Sequence, residues 1–207
     1  MIKVHHLNNS RSQRILWLLE ELGQDYEIVK YQRDAVTSLA PPELEKIHPL
    51  GKSPVLEDDG LIIHETGAIV EFLVNKYDDG SLAPTDRSSI LYTRYSEWLH
   101  YAEGSAMLPL LLRLYVSRLG DAGAPLHPRI SSEFKNHFSY VSKSLKDDYL
   151  LGNELSAADV MMSFPLEAAN RAGGLKDFSN LQEYVARFQA RDAYKIALEK
   201  GGKYDFA

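Results

Sequence analysis

The sequence predicts a chain of two modules. The first is a small α/β module with a mixed four-stranded sheet flanked by helices, and the second is an all-α helical bundle. Three observations predict this. Strand-like and helix-like segments alternate up to about residue 78, and no convincing strand follows residue 90. A turn-rich stretch, DDGSLAPTDRSS (78–89), separates the two regimes. Pro54 stands at the mouth of a hairpin pattern, where a residue without an N–H is confined to edges, first positions and bulges. The expected division is residues 1–78, a linker at 79–89, and a helical domain at 90–207.

IKVHHL is short and β-prone, and SQRILWLLEELG is helical. In that helix Ile15, Leu18, Leu19 and Leu22 fall at i, i+3, i+4 and i+7, an apolar stripe closed by Gly23. DYEIVKY reads as a second strand, and SLAPPELEKIHPLG as a loop with a short helical turn. PVLED, a tight turn at DDG, and LIIH form the hairpin, and ETGAIVEFLVNKY is a helix that begins at its acidic end. A βαβ crossover implies parallel pairing and a short hairpin antiparallel pairing, so the sheet is mixed. Beyond the linker, ILYTRYSEWLHYAEGSAMLPLLLRLYVSRLG, RISSEFKNHFSYVSKSLKDDYLLG, SAADVMMSFPLEAANRAGG and NLQEYVARFQARDAYKIALEK carry helical patterns.

Composition removes several classes of function. The net charge of −6 leaves no basic stripe for a nucleic-acid backbone. The absence of cysteine excludes disulfides, a cysteine nucleophile, thiolate metal sites and CxxC redox pairs. Seven histidines show no HExxH or close repeating pair, so no metal is expected. No apolar run reaches membrane-spanning length and no leader-like pattern opens the chain, so a cytoplasmic protein is expected.

Two motifs have double readings. Ser10-Arg11-Ser12-Gln13 has the spacing of a capping box, and a helix start is also where an anion is favoured. Glu65-Thr66 opens the third helix and serves either as a cap or as a partner for a ligand carboxylate and ammonium group. Ser156 and Asp159 have capping-box-like spacing ahead of Val160-Met161-Met162, a structural role.

Four motifs in this order, SRSQRILWLLEELG, HPLGKSPVL, HETGAIVEFL and LSAADVMMSF, resemble the cytosolic glutathione transferase family over essentially the whole chain, most closely its serine-type bacterial and fungal members. The resemblance implies a thioredoxin-like first domain in which Pro54 is cis, and a soluble homodimer. It implies glutathione as co-substrate, held by Lys52, Ser53, Val55, Glu65 and Thr66. On this reading Val55 offers its backbone to the cysteinyl part of the tripeptide as an added strand would. Lys52 faces the glycyl carboxylate, and Glu65 with Thr66 takes the γ-glutamyl head. Ser10 is implied as the catalytic residue, donating a hydrogen bond that holds the sulfur as thiolate; Asn9, Arg11, Ser12 and His6 compete for that role. A tyrosine mechanism is out of reach in residues 1–14, where His5-His6 occupies the end of the first strand. Tyr101, Glu103 and Met107 are the implied pocket for a small hydrophobic electrophile, although an aromatic-and-methionine stripe more commonly belongs to a core. The implied activity is conjugation of glutathione to such electrophiles, extending to peroxide reduction. The alternative is a glutathione-binding or stress-interaction module without turnover.

Overall fold

The computed structural model describes residues 1–207, which form two compact units: Met1–Ala83 with Phe188–Ala207, and Pro84–Arg187. The sequence pattern kept residues 90–207 together; in the structure the chain from Phe188 onward packs with the first unit.

The first unit is built on a four-stranded sheet of order β2-β1-β3-β4, comprising β1 (Ile2–Leu7), β2 (Tyr26–Tyr31), β3 (Val55–Asp58) and β4 (Leu61–His64). β1 pairs with β2 in parallel, through the crossover helix α1 (Ser12–Glu21), and with β3 antiparallel. β3 and β4 are joined by Asp59-Gly60, with φ of 49° and 84°. Positive φ at both central residues matches the right-handed twist of a hairpin, which is why Asp-Gly suits this turn. α2 (Thr66–Tyr77) follows the last strand and buries Ile69, Val70, Leu73 and Val74.

α1 is buried on more than its predicted stripe, since every residue from Ser12 to Leu19 is inaccessible. Its second face is covered by α8 (Asp192–Gly201) and by Phe188 ahead of it: Trp17 stacks on Phe188 at 5.5 Å and meets Tyr194 edge-on at 5.4 Å. Polar clips tie the same faces, as Arg191 forks onto Glu21 at 2.6 and 2.8 Å and Lys200 reaches Glu20 at 2.6 Å.

The second unit is helical, with α3 (Ile90–Tyr101), α4 (Leu108–Val116), α5 (His127–Ser144), α6 (Ala157–Arg171) and most of α7 (Ser179–Gln189). α6 is apolar nearly all round, as a central helix must be. Its start is a reciprocal capping box between Ser156 and Asp159. Buried Asp159 also accepts from the Leu150 N–H at 2.9 Å and from the Tyr184 hydroxyl. No helix of the chain is long and apolar enough to cross a membrane.

Candidate active site

The site residues of the first unit gather where three chain segments meet the end of β1. The Ser53–Pro54 peptide bond is cis, and Pro54 leads directly into β3. Gly51 stands before it with φ of 57°, and a Cβ there would lie 2.8 Å from the Glu45 side chain. The positive φ suits glycine there, while the exposed Glu45 side chain could move aside from a Cβ. The Ser53 hydroxyl donates to the His5 carbonyl at 2.8 Å and accepts from the Leu7 N–H at 3.2 Å, tying the proline loop to β1.

Val55 must be reassigned. It is paired with His5 on one side and His64 on the other, and it is buried. A residue inside a sheet spends its N–H and C=O on its ladder neighbours, so Val55 has no backbone edge for a ligand. Ser53, one step earlier, precedes the cis bond and lies outside the strand.

Glu65 has φ of 67° and ψ of 121° at the head of α2, a sparsely populated conformation for a residue with a side chain. Its carboxylate makes no cap bond and is exposed, while Thr66 beside it is buried. The capping alternative for this pair is therefore not realised by Glu65. Lys52 is exposed on the loop before Ser53. His48 and His64 stack at 4.0 Å between ring centroids.

Ser10 is buried, and the capping box predicted there does not form. The α1 cap position falls on Arg11 in helical geometry with no side-chain bond, one residue late for Ser10 to serve Gln13. The Ser10 hydroxyl instead accepts from the Ser12 N–H at 3.2 Å and lies 2.8 Å from the Ser12 hydroxyl. Fully buried Ser12 extends the chain of bonds to His6 Nδ1 at 2.8 Å, and accepts from the Leu7 N–H at 3.2 Å. The His6 ring also bonds the Gly201 carbonyl; burial, followed by the neighbouring Lys30 charge, lowers its pKa to about 4, so it is neutral at physiological pH.

The two remaining competitors are engaged as well. Asn9, at φ of 51°, is held by the segment after α8. Arg11 carries its charge towards Arg33, whose guanidinium is pushed down by burial and then by Arg11. That set of contacts had no signal in the sequence, because its partners lie far apart along the chain.

In the second unit a π-helical turn, Ala102–Ala106, joins α3 to α4 and carries Glu103. Such turns are rare and frequent at functional sites. A groove of about 870 Å³ is lined by residues that include Tyr92, Ser96, Tyr101, Ser105 and Tyr140. Tyr101 thus lines an open surface with its hydroxyl 2.8 Å from His137 Nδ1, and burial raises its pKa. Glu103 and Met107 do not line this groove, and Met107 is buried. No group of three or more metal-ligating side chains is present.

A sheet of this order, with a cis-proline strand beside an exposed acidic helix start, defines a thioredoxin-fold protein carrying a helical second domain. Comparison with known proteins narrows the class. The family description "Glutathione S-transferase, N-terminal domain" matches residues 1–75, and "Glutathione S-transferase, C-terminal domain" matches residues 105–192. Glutathione S-transferase 1 of Saccharomyces cerevisiae is 34% identical, over 97% of this chain and 95% of its own. Glutathione S-transferase 3 of Schizosaccharomyces pombe is 37% identical, over 97% and 88%. The crystal structure of a glutathione S-transferase from Actinobacillus pleuropneumoniae superposes with a TM-score of 0.91 at 36% identity, covering 100% of this chain and 95% of that one. The chain belongs to the glutathione S-transferase family.

Proposed function

We propose that the protein is a cytosolic glutathione transferase that joins the glutathione thiolate to small hydrophobic electrophiles and reduces organic peroxides by the same thiolate. One observation carries the reading. An exposed, uncapped Glu65 carboxylate stands at the helix start beside the cis-proline loop, in a conformation that costs energy and caps nothing. A γ-glutamyl ammonium group supplies the partner that this carboxylate lacks, and the free N–H groups of α2 with Thr66 suit the adjacent carboxylate. The Ser53 backbone takes the cysteinyl residue as an added strand, and Lys52 takes the glycyl carboxylate. Ser10 is the donor to the sulfur. Tyr101, Glu103 and Met107 are the proposed border of the electrophile, with Tyr101 supported by its place in the groove of the second unit.

The proposed assembly is a homodimer with a two-fold interface. Leu61 and Ile62 on the edge strand β4 are about half exposed, an apolar edge that a partner would cover. Sedimentation at micromolar concentration should give twice the chain mass; a monomer there refutes the dimer.

A second reading, binding without turnover, is favoured by the inward commitment of the Ser10 hydroxyl to Ser12. Purified protein with glutathione and a panel of aryl halides, enals, isothiocyanates and organic hydroperoxides separates the two. Protein-dependent consumption of any class supports the enzyme. Calorimetric binding of glutathione with no turnover across the panel supports the binder.

A further inference from the structure

The turn Asn8-Asn9-Ser10 is held from two sides. On one side Arg33 donates from Nε to the Asn8 carbonyl at 3.1 Å and from Nη2 to the Asn9 carbonyl at 3.2 Å, while its own N–H reaches Asn8 Oδ1 at 2.8 Å. On the other, Asn9 Nδ2 donates to Asp205 Oδ2 at 2.8 Å, and the Asp205 N–H donates to Asn9 Oδ1 at 2.8 Å. The second pair is reciprocal and joins residues 196 positions apart. Asn9 has a φ of 51°, a conformation that asparagine tolerates better than most residues but that still benefits from being fixed. The end of α8 lies against the network as well, with the Gly201 backbone beside the His6 ring.

We infer that Asp205 is a positioning residue for Ser10, and that the segment following α8 is a working part of the glutathione-activating site. The proposal rests on Ser10 as the donor to the sulfur. The chemistry follows from the geometry. Ser10 is the residue immediately after Asn9, so its Cα direction is set by the Asn9 dihedral angles, and these are fixed by the amide of Asn9 on Asp205. Releasing Asp205 frees Asn9 to leave the left-handed region and swings the Ser10 hydroxyl by a fraction of an ångström. Displacements of that size at a reacting centre are costly to rate while leaving substrate binding elsewhere in place. Asp205 holds Asn9 and pairs with Lys203 at 3.4 Å, while glutathione is assigned to Lys52, Ser53, Glu65 and Thr66, so its affinity should change little.

The test is an ultraviolet titration of the bound glutathione thiol, with kcat and KM, on wild type, Ser10→Ala, Asp205→Ala, Asp205→Asn and the double variant Ser10→Ala/Asp205→Ala. Asp205→Ala should raise the thiol pKa by about half a unit, equivalent to roughly a threefold loss of thiolate and of kcat near neutral pH. KM for glutathione should stay within about twofold, and Asp205→Asn, which keeps an acceptor for Asn9, should restore the wild-type profile. In the Ser10→Ala background Asp205→Ala should add nothing. A general loosening of the fold would instead move the melting temperature and KM together, without rescue by asparagine. If Ser10→Ala shifts the thiol pKa and Asp205→Ala does not, the positioning role is wrong and the Ser10 reading stands. If Ser10→Ala leaves the pKa where it was, the Ser10 reading fails, and the positioning role built on it is overturned with it. If both single variants shift the pKa and their effects add, Asp205 acts on some group other than Ser10, and the inference is refuted.

Discussion

Glu65 offers a perturbation whose effects on folding and on binding have opposite signs. Its carboxylate forms no cap bond, so Glu65→Ala orphans no buried donor and should leave stability within about 0.5 kcal/mol of wild type. Its φ of 67° persists in alanine, so the backbone cost persists too. Glu65→Gly removes that cost and should stabilise the fold by about 1 kcal/mol. Binding weakens in both variants. Losing a carboxylate that accepts from the glutathione ammonium group removes a charge-assisted bond worth roughly 1.5–3 kcal/mol. This weakens Kd by about ten- to a hundredfold. Glu65→Gln keeps an acceptor without the charge and should fall between. Isothermal titration with glutathione gives the affinities, and thermal melts give the stabilities. A folded Glu65→Ala that binds glutathione as well as wild type would refute the assignment. A Glu65→Gly that melts lower than wild type would show that the positive φ is not a store of strain.

The remaining predictions concern the interior. His6 has its pKa lowered to about 4 by burial and then Lys30, against 6.5 when unfolded, so the unfolded chain binds more protons between those values and stability falls as pH drops through that window. A shift of that size is worth about 3 kcal/mol in all. Denaturant titrations at several pH values should show this loss in wild type and a shallower one in His6→Gln; parallel curves would refute it. Asp159→Ala removes the acceptor of the Leu150 and Ser156 N–H groups and of the Ser156 and Tyr184 hydroxyls, and should cost about 3–5 kcal/mol by the same assay. A loss below about 1 kcal/mol would contradict that accounting. Ser10→Ala should raise the bound thiol pKa by up to about one unit, while Ser12→Ala should lower it slightly and cost about 1–3 kcal/mol of stability. Ultraviolet titration and chemical denaturation measure the two effects, and the reverse assignment of the pKa shifts would refute the order of the hydroxyl chain.

Much of the fold was legible because its signals are local. The four strands, the Asp59-Gly60 turn and the Ser156–Asp159 box each rest on a few neighbouring residues, whereas the cis Ser53–Pro54 bond was expected from the family resemblance alone. What failed depended on tertiary partners. The stripe on α1 showed one apolar face, but periodicity does not reveal that Phe188 and Tyr194 cover Trp17 on another. The Ser-x-x-Gln spacing promised a box at Ser10, yet the Ser10 hydroxyl takes the Ser12 N–H and the buried Gln13 amide has no partner, so the return bond of the box is not made. A proline identifies an edge without saying which of its neighbours the ladder takes up; strand pairing puts Val55 inside the ladder. The grip of Asp205 on Asn9 spans almost the whole chain and leaves no sequence pattern.

The hydrogens of the buried chain limit what Ser10 can contribute. With the N–H of the neutral His6 ring assigned to the nearby Gly201 carbonyl, the other ring nitrogen has no hydrogen to give. Nδ1 is left as an acceptor, and the hydroxyl beside it, Ser12, supplies the hydrogen. The Leu7 carbonyl, 3.3 Å away, is a second acceptor for the Ser12 hydrogen, and on this assignment the 2.8 Å contact between the two hydroxyls uses the hydrogen of Ser10. A thiolate competes with Ser12 for that hydrogen. A bond to a charged acceptor is worth roughly 1.5–3 kcal/mol and a neutral one roughly 0.5–1.5, so the exchange favours the thiolate by about 1 kcal/mol. That lowers the thiol pKa by less than one unit, where an uncommitted hydroxyl would give one to two. Ser12→Ala removes the competitor and leaves Ser10 free to donate outward, which is why the less stable variant should hold the more acidic thiol. The network thus fixes the Ser10 side chain in place at the expense of part of its acidifying effect.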